Sequence, residues 1–286
     1  MPISLKPFAT KSCEFTEWSI DVSERERLVE VLAYLYLRQE ENAIRIISAL
    51  SSKKITSRGK VAENVIRKLT APHAQDLKDL TSSDENVKKK AGDRIKTSIY
   101  HRDGLLFQHI SWIVAKKASP HGIMTSPHVR NADKGFDGFV MELDEFREAI
   151  ETIILCEDKA SEAPRSLITQ SVWPEIEAIV DGQRDDEVLA ELVTLLKSLP
   201  SIDAEDAVET MFWEEARHFR VCVATSEKIR DRTLGNHTKV LDGFEKKVTG
   251  TTKKRVGGVL VFDDVREGLA QLAQEVIQKI KELTDV

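Results

Sequence analysis

The chain has 286 residues, of which 41% are hydrophobic and 31% are charged. This composition is typical of a soluble globular protein and excludes a collagen, a mucin stalk and a wholly disordered chain. The sequence has no run of 18 apolar residues, and its first residues lack the apolar core of a secretory signal. Three widely separated cysteines without a CxxC pair argue against a disulfide framework or a zinc site. We therefore expect a cytoplasmic protein with no membrane segment.

The charge is unevenly distributed along the chain. A net charge of −6 argues mildly against a nucleic-acid partner. However, residues 181–209 alone hold nine acidic and two basic residues, so the rest of the chain is nearly neutral. Residues 84–102 hold six basic and three acidic residues, and residues 245–255 hold five basic and one acidic. An acidic total is therefore compatible with a local basic face.

The first part of the chain is predicted to be helical. Apolar residues recur at helical spacing, with polar residues that can cap the helices and a proline at 72 that ends one of them. This pattern predicts helices over 21–38, 42–50, 57–69 and 105–117, and a basic helix that begins after residue 84. We expect residues 1–100 to form a helical N-terminal region. Residues 101–286 would then form an α/β domain, and the sequence leaves open whether the N-terminal helices pack onto it or form a domain of their own.

The pattern changes after Gly122, where a loop rich in Pro, Ser, Asn and Asp is expected to hold one short strand at most. Residues 136–143 have strand character, and buried-type apolar runs predict strands over 152–156, 218–224 and 256–262. Helical spacing predicts helices over 166–180, 185–199, 204–216 and from 265 to the C-terminus. This order predicts an α/β fold in which a small mixed sheet is flanked by helices, behind the helical N-terminal extension.

The end of the strand at 152–160 carries the candidate chemistry. Alternation along a strand places Glu157 and Lys159 on one face and Asp158 on the other, where we expect a surface or capping role. Burying a carboxylate and an ammonium group together is costly unless they bind something. The alternative is a solvated strand end with an ion pair of little energy.

Hairpin register brings a second carboxylate to this position. If strands 136–143 and 151–157 turn near Arg147, Asp137 lies opposite Glu157, with Cβ atoms about 4.5–5.5 Å apart. Two carboxylates this close repel each other unless a cation sits between them, and a hard divalent ion such as Mg²⁺ (or Mn²⁺) fits oxygen ligands. Lys159 would orient or deprotonate a metal-bound water, or stabilise charge on a phosphoryl oxygen.

An Asp beside a glycine on one strand, followed by Glu-x-Lys at the end of the next, resembles the PD-(D/E)XK nuclease superfamily. The resemblance covers residues 105–224 and implies a restriction-endonuclease-like core that hydrolyses DNA. It implies that Asp137 and Glu157 are metal-binding acids and that Lys159 is the catalytic lysine. Phe136 stands where the family motif has proline.

The same family often has a metal-site glutamate on a helix before the hairpin. The helix predicted over 105–117 has no glutamate but offers Gln108 and His109. Glu63, on an earlier predicted helix, is the rival candidate. His109 is equally compatible with a helix residue that packs against the sheet.

A helical N-terminus before Gly-Phe-Asp-Gly and Glu-x-Lys also resembles the nuclease subunit of Hachiman-type anti-phage systems, which implies a helicase partner. If the chain is a nuclease, the basic cluster Lys246, Lys247, Lys253, Lys254 and Arg255 is a candidate phosphate-contact loop. Lys88, Lys89 and Lys90 are the alternative. A second hypothesis is a non-catalytic regulatory or binding subunit on a nuclease-like scaffold, with the acidic segment at 181–209 as its docking face.

Overall fold

The computed structural model describes residues 2–55, 59–127, 136–146, 149–196, 208–209 and 216–284. The strands are β1 (Ile3–Phe8), β2 (Glu14–Ile20), β3 (Ile123–Met124), β4 (Gly138–Leu143), β5 (Ile150–Ala160), β6 (Arg217–Ser226) and β7 (Arg255–Phe262). The helices before β3 are α1 (Arg25–Tyr36), α2 (Glu40–Ile47), α3 (Gly59–Leu69), α4 (Ala74–Asp79) and α5 (Glu85–Ala118). Those after β5 are α6 (Pro164–Leu167), α7 (Trp173–Val180), α8 (Asp185–Leu196), α9 (Phe244–Lys247) and α10 (Val265–Thr284).

The seven strands form one mixed sheet in the order β1-β2-β7-β6-β5-β4-β3. The four central strands β2, β7, β6 and β5 run parallel to one another, whereas β1 pairs antiparallel with β2 on one edge, and β4 with β5 and β3 with β4 on the other. Parallel strands need both faces covered, which is why β5, β6 and β7 are continuous apolar runs. The prediction of a mixed sheet flanked by helices is confirmed.

Helices cover the two faces of the sheet with two separate hydrophobic cores. One core joins α1, α2, α3, α5 and α10 to the sheet, whose strands contribute Trp18, Cys222 and Leu260 among others. The other joins α7 and α8 to the opposite face through Leu155, Val221 and similar residues. The N-terminal helices therefore share a core with the C-terminal helix and with one face of the sheet.

The first 20 residues differ from the helical N-terminal region that the sequence predicts. They form the hairpin β1–β2, and β2 pairs in parallel with β7. The edge strand β1 exposes four of its six residues and contains Pro7. An exposed edge strand with proline gives no alternating apolar signal, so the sequence pattern did not reveal it.

The long helix α5 joins two helices that the sequence analysis separates. It runs over 34 residues, and the Asp84 carboxylate caps its N-terminus by accepting from the backbone amides of Asn86 and Val87. Glycines at 92 and 104 interrupt the pattern, but each costs only about 1 kcal/mol in a helix interior. With no proline between 85 and 118, the helix continues through both.

The β4–β5 hairpin has the predicted register. Gly138 pairs with Cys156 and Glu142 with Thr152, which places Asp137 one step before the first pair, opposite Glu157. A bulge between Glu142 and Leu143 shifts the pairing only beyond this point. The helix predicted over 204–216 lies almost wholly outside the described residues, as do Ser57 and Arg147.

Candidate metal centre

Two acids and a lysine meet where β5 approaches its C-terminal end. Glu157 and Lys159 lie on the face of β5 that α6–α8 cover, together with Leu155. Asp137 lies just before β4, and its backbone amide donates to the Cys156 carbonyl (3.1 Å). Its carboxylate accepts a hydrogen bond from the backbone amide of Asp158 (2.9 Å). The hairpin therefore fixes Asp137 at both backbone and side chain.

Lys159 bridges the two carboxylates. Its Nζ atom lies 2.8 Å from Glu157 Oε2 and 3.1 Å from Asp137 Oδ2. The Glu157 side chain is only 4% exposed and that of Asp137 16%, whereas Lys159 is 25% exposed. These three side chains, predicted from spacing and register, are thus brought together in a partly open, mostly buried cluster.

Helix α5 adds Gln108 to the cluster. Its Nε2 atom donates to Asp137 Oδ1. The Gln108 Oε1 atom is buried with no hydrogen-bond partner among the described residues, and so is Glu157 Oε1. Buried oxygens without partners are uncommon in folded proteins. Rotation of the Gln108 amide exchanges its oxygen and nitrogen, so this side chain can offer either a donor or an oxygen ligand.

This donor set fits a hard divalent cation. It holds two carboxylates and an amide oxygen, and two of its oxygens lack partners. Mg²⁺ is commonly held by one or two carboxylates, with waters and substrate phosphates as the remaining ligands. In the described part of the chain, no group of three or more His, Cys, Asp or Glu side chains is placed to hold a metal ion. A metal at this position would therefore have Asp137 and Glu157 as its carboxylate ligands, with other ligands from Gln108, water or substrate.

Burial changes the proton affinity of the cluster. It raises the pKa of Glu157 to about 8, with a further increase from Asp137 and an opposing effect from Lys159. Burial alone would lower the pKa of Lys159, but Asp137 and Glu157 outweigh it and raise that pKa above its ordinary value. Lys159 therefore remains charged at neutral pH. An added cation at the site would favour the charged form of Glu157 at neutral pH.

A second polar network lies on the opposite face of β5, beneath the metal centre. Asp158, predicted as a surface or capping residue, is instead buried and accepts a hydrogen bond from the Ser111 hydroxyl. Arg220 of β6 donates to the Ser111 hydroxyl (2.6 Å) and lies 3.7 Å from Asp158. Burial raises the pKa of Asp158 to about 7. The network ties α5, and hence Gln108, to β5 and β6.

The roles of Ser111 and Arg220 were not among the sequence-based predictions. Arg220 in an apolar strand was the available signal, because a buried guanidinium requires a partner. Arg220 also stacks over the Trp18 ring at 5.4 Å. The partner of Arg220 is 62 residues earlier in the chain and becomes visible only once β5 and β6 are paired.

Arg184, just before α8, lies near the residue that precedes Asp137. Its guanidinium is 5.0 Å from the centre of the Phe136 ring and pairs with Glu187. The hydrogen bond to Glu187 is the main cause that raises the pKa of Arg184, and Glu157 and Glu175 add a smaller electrostatic increase.

The other two candidates for a metal-site residue on a helix, His109 and Glu63, do not face the acid–lysine cluster. His109 is buried, its Nδ1 lies 2.7 Å from the Leu105 carbonyl, and its ring stacks on Tyr36 at 3.9 Å. It packs against α1 instead of facing Asp137. Glu63 is exposed on α3, and the contacts described for that helix join it to α5 and α10. Of the three candidates, only Gln108 contacts the site.

The predicted phosphate-contact loop lies away from the centre. Arg255 is buried and donates to the carbonyls of Ser12, Val248 and Gly250. Lys247 pairs with Glu177, whereas Lys246 and Lys253 are exposed and Lys254 is half-buried. Arg255 begins β7, and strand register places it level with Leu155, before the Glu157–Lys159 segment. The loop is therefore at the amino end of the parallel strands.

No protein-family model matches the chain, and no curated protein has a similar sequence. None of the helices in the described ranges is long and apolar enough to cross a membrane. The three cysteines are buried and unpaired.

Proposed function

We propose that the chain is a divalent-metal-dependent nuclease that hydrolyses phosphodiester bonds in DNA. The proposal rests on one observation: Lys159 Nζ lies 2.8 Å from a Glu157 oxygen and 3.1 Å from an Asp137 oxygen, beside two buried oxygens that have no hydrogen-bond partner among the described residues. A buried cluster of this kind is destabilising by itself, and a bound cation would offset the repulsion between its acids. Buried ionisable groups whose pKa values are strongly shifted by burial and by neighbouring charges are characteristic of functional sites.

Each residue has a distinct role in the proposed reaction. Asp137 and Glu157 would hold the ion, with Gln108 as an additional oxygen ligand. The ion would supply charge neutralisation at the phosphate and acidify a bound water. Lys159 keeps its proton because of the two acids, so we assign it as a donor that orients the attacking water or stabilises the phosphoryl oxygens, and not as the base.

The resemblance to Hachiman-type nuclease subunits leads us to propose a role in anti-phage defence with a helicase partner. The three unpaired cysteines suit a reducing compartment, and we place the protein in the cytoplasm. Co-expression of the chain with the helicase subunit of such a system should protect bacteria against phage. Replacing Glu157 with Gln in the same pair should remove protection, and equal protection by this variant would contradict the proposed role.

Cleavage of plasmid and single-stranded DNA tests the enzymatic proposal. Wild-type protein with Mg²⁺ or Mn²⁺ should cut, and EDTA or Lys159→Ala should abolish cutting. Lys247→Ala is the control, because Lys247 is similarly exposed but pairs with Glu177 away from the site. Cleavage that persists in Lys159→Ala would refute the assignment. A folded wild type that neither cuts nor binds Mn²⁺ would favour the non-catalytic scaffold.

A further inference from the structure

Lys159 takes the place of a cation between the two acids of the metal centre. Its Nζ atom contacts Glu157 Oε2 at 2.8 Å and Asp137 Oδ2 at 3.1 Å, distances at which an ammonium group donates hydrogen bonds to carboxylates. A divalent ion bound by both acids would lie next to this ammonium group, and like charges so close repel each other. The ion and the ammonium group therefore compete for the same pair of carboxylates.

The hydrogen bonds of Asp137 show which of its partners can leave. Oδ2 also accepts from the backbone amide of Asp158 (2.9 Å), and Oδ1 accepts from Gln108 on α5. Strand pairing fixes the backbone amide, and Gln108 can turn its amide oxygen towards an ion. Lys159 has a flexible four-carbon side chain and, at 25% exposed, is more exposed than either acid. It is thus the partner that can move aside.

Glu157 offers an oxygen to the entering ion. Its Oε1 atom is buried and has no hydrogen-bond partner among the described residues, whereas its Oε2 atom holds Lys159. A cation at Oε1 would draw the charge of this carboxylate away from the ammonium group and repel that group directly. Both effects weaken the contact that keeps Nζ between the acids.

We propose that Lys159 is an internal counter-ion that closes the metal centre at rest, and that an entering divalent ion displaces its ammonium group from Asp137 and Glu157. This inference rests on the proposed nuclease function and describes how the same site is regulated. Once displaced, the ammonium group has lost its anionic partners, and a phosphate of the substrate replaces them. The ion and the nucleic-acid phosphate should therefore bind cooperatively, each raising the affinity for the other.

Removing the counter-ion tests the competition. In calorimetric titration, Lys159→Met should bind Mn²⁺ roughly a hundredfold more tightly than wild type, because the ion no longer has to break the ion pairs of Lys159. Lys247→Met is the matched control. Lys247 is 26% exposed and pairs with Glu177 (2.5 Å) away from the site, so this variant should bind Mn²⁺ as wild type does.

Labelling of lysines in the wild-type protein tests the displacement itself. Acetic anhydride acylates only uncharged amines, and Asp137 and Glu157 raise the pKa of Lys159 above its ordinary value. Lys159 should therefore react slowly in EDTA. Saturating Mg²⁺ should increase its labelling roughly tenfold or more, because each unit by which the pKa falls gives ten times more uncharged amine. Lys247 should be labelled equally with and without Mg²⁺, and DNA added to the Mg²⁺-loaded protein should protect Lys159 again.

These outcomes separate the counter-ion from the nuclease proposal. Equal or weaker Mn²⁺ binding by Lys159→Met, or Lys159 labelling that saturating Mg²⁺ leaves unchanged, would overturn the counter-ion and leave the metal centre intact. Labelling that DNA leaves unchanged would overturn the coupling to phosphate. No Mn²⁺ binding by either wild type or Lys159→Met would overturn the metal centre, and the nuclease proposal with it. Because the labelling uses wild-type protein, it decides the question even if the variant does not fold.

Discussion

Replacing Lys159 with methionine tests the electrostatic account of the site most fully. Methionine has a similar length but no charge, so Asp137 and Glu157 lose the ammonium group that lies between them at 3.1 and 2.8 Å. Breaking a buried ion pair by removing one partner typically costs 3–5 kcal/mol. Because Lys159 is a quarter exposed and Glu157 can take up a proton, we expect the lower end, about 3 kcal/mol.

This free energy converts to a measurable shift in Tm. An unfolding entropy of about 2.1 cal/mol/K per residue gives about 0.6 kcal/mol/K for 286 residues, so metal-free Lys159→Met should melt about 5 °C below wild type. If the proposed site binds Mn²⁺, the ion at 100 times its Kd should stabilise wild type by about 2.7 kcal/mol, or about 5 °C. In the variant the ion also replaces the lost charge, and its shift should approach about 10 °C.

Differential scanning calorimetry with and without Mn²⁺ measures both shifts. Lys247→Met is the matched control, since its side chain is 26% exposed and pairs with a half-exposed Glu177. It should lose less than about 1 kcal/mol and keep the wild-type metal shift. A Lys159→Met protein with unchanged metal-free Tm, or with a metal shift equal to that of wild type, would refute the reasoning.

Three further predictions concern the surroundings of the site. Arg220→Met should destabilise the fold by about 3–5 kcal/mol in urea unfolding, because it leaves Asp158 buried without its cation, and adding Asp158→Asn should restore part of the loss. Burial raises the pKa of Glu157 in the metal-free protein to about 8, from an ordinary value of 4.5. Because the folded state holds this proton more tightly than the unfolded state, the contribution of Glu157 to the free energy of unfolding is complete below pH 4.5 and is lost as the pH rises towards 8. Glu157→Gln should flatten this part of the stability curve, and an unchanged curve would contradict the shift. Gln108→Glu should tighten Mn²⁺ binding in calorimetric titration and Gln108→Leu should weaken it, whereas His109→Phe should leave it unchanged.

The central strands and the acid–lysine cluster could be predicted from sequence because both depend on local pattern. Apolar runs identify β5, β6 and β7, and the two-residue period of a strand places Glu157 and Lys159 on one face. Hairpin register depends only on a count along the chain, which is why Asp137 was placed opposite Glu157.

The remaining features depend on contacts between distant segments. β1 and β2 become strands because β7 offers β2 a partner more than 200 residues away, and this pairing leaves no local signal. Asp158 is buried because α5 and β6 bring Ser111 and Arg220 to it. The choice among Gln108, His109 and Glu63 required the orientation of α5 relative to the hairpin. A residue's type does not indicate which way its helix faces.

The position of a bound Mn²⁺ ion tests the central claim most directly. Anomalous scattering from crystals of the wild-type protein soaked in Mn²⁺ would locate it. The account predicts one ion within coordination distance, about 2.1 Å for a Mg²⁺-like ion, of Asp137 and Glu157, with Gln108 in its surroundings. No ion at these carboxylates in metal-saturated crystals, or an ion bound only elsewhere, would contradict the proposed metal centre.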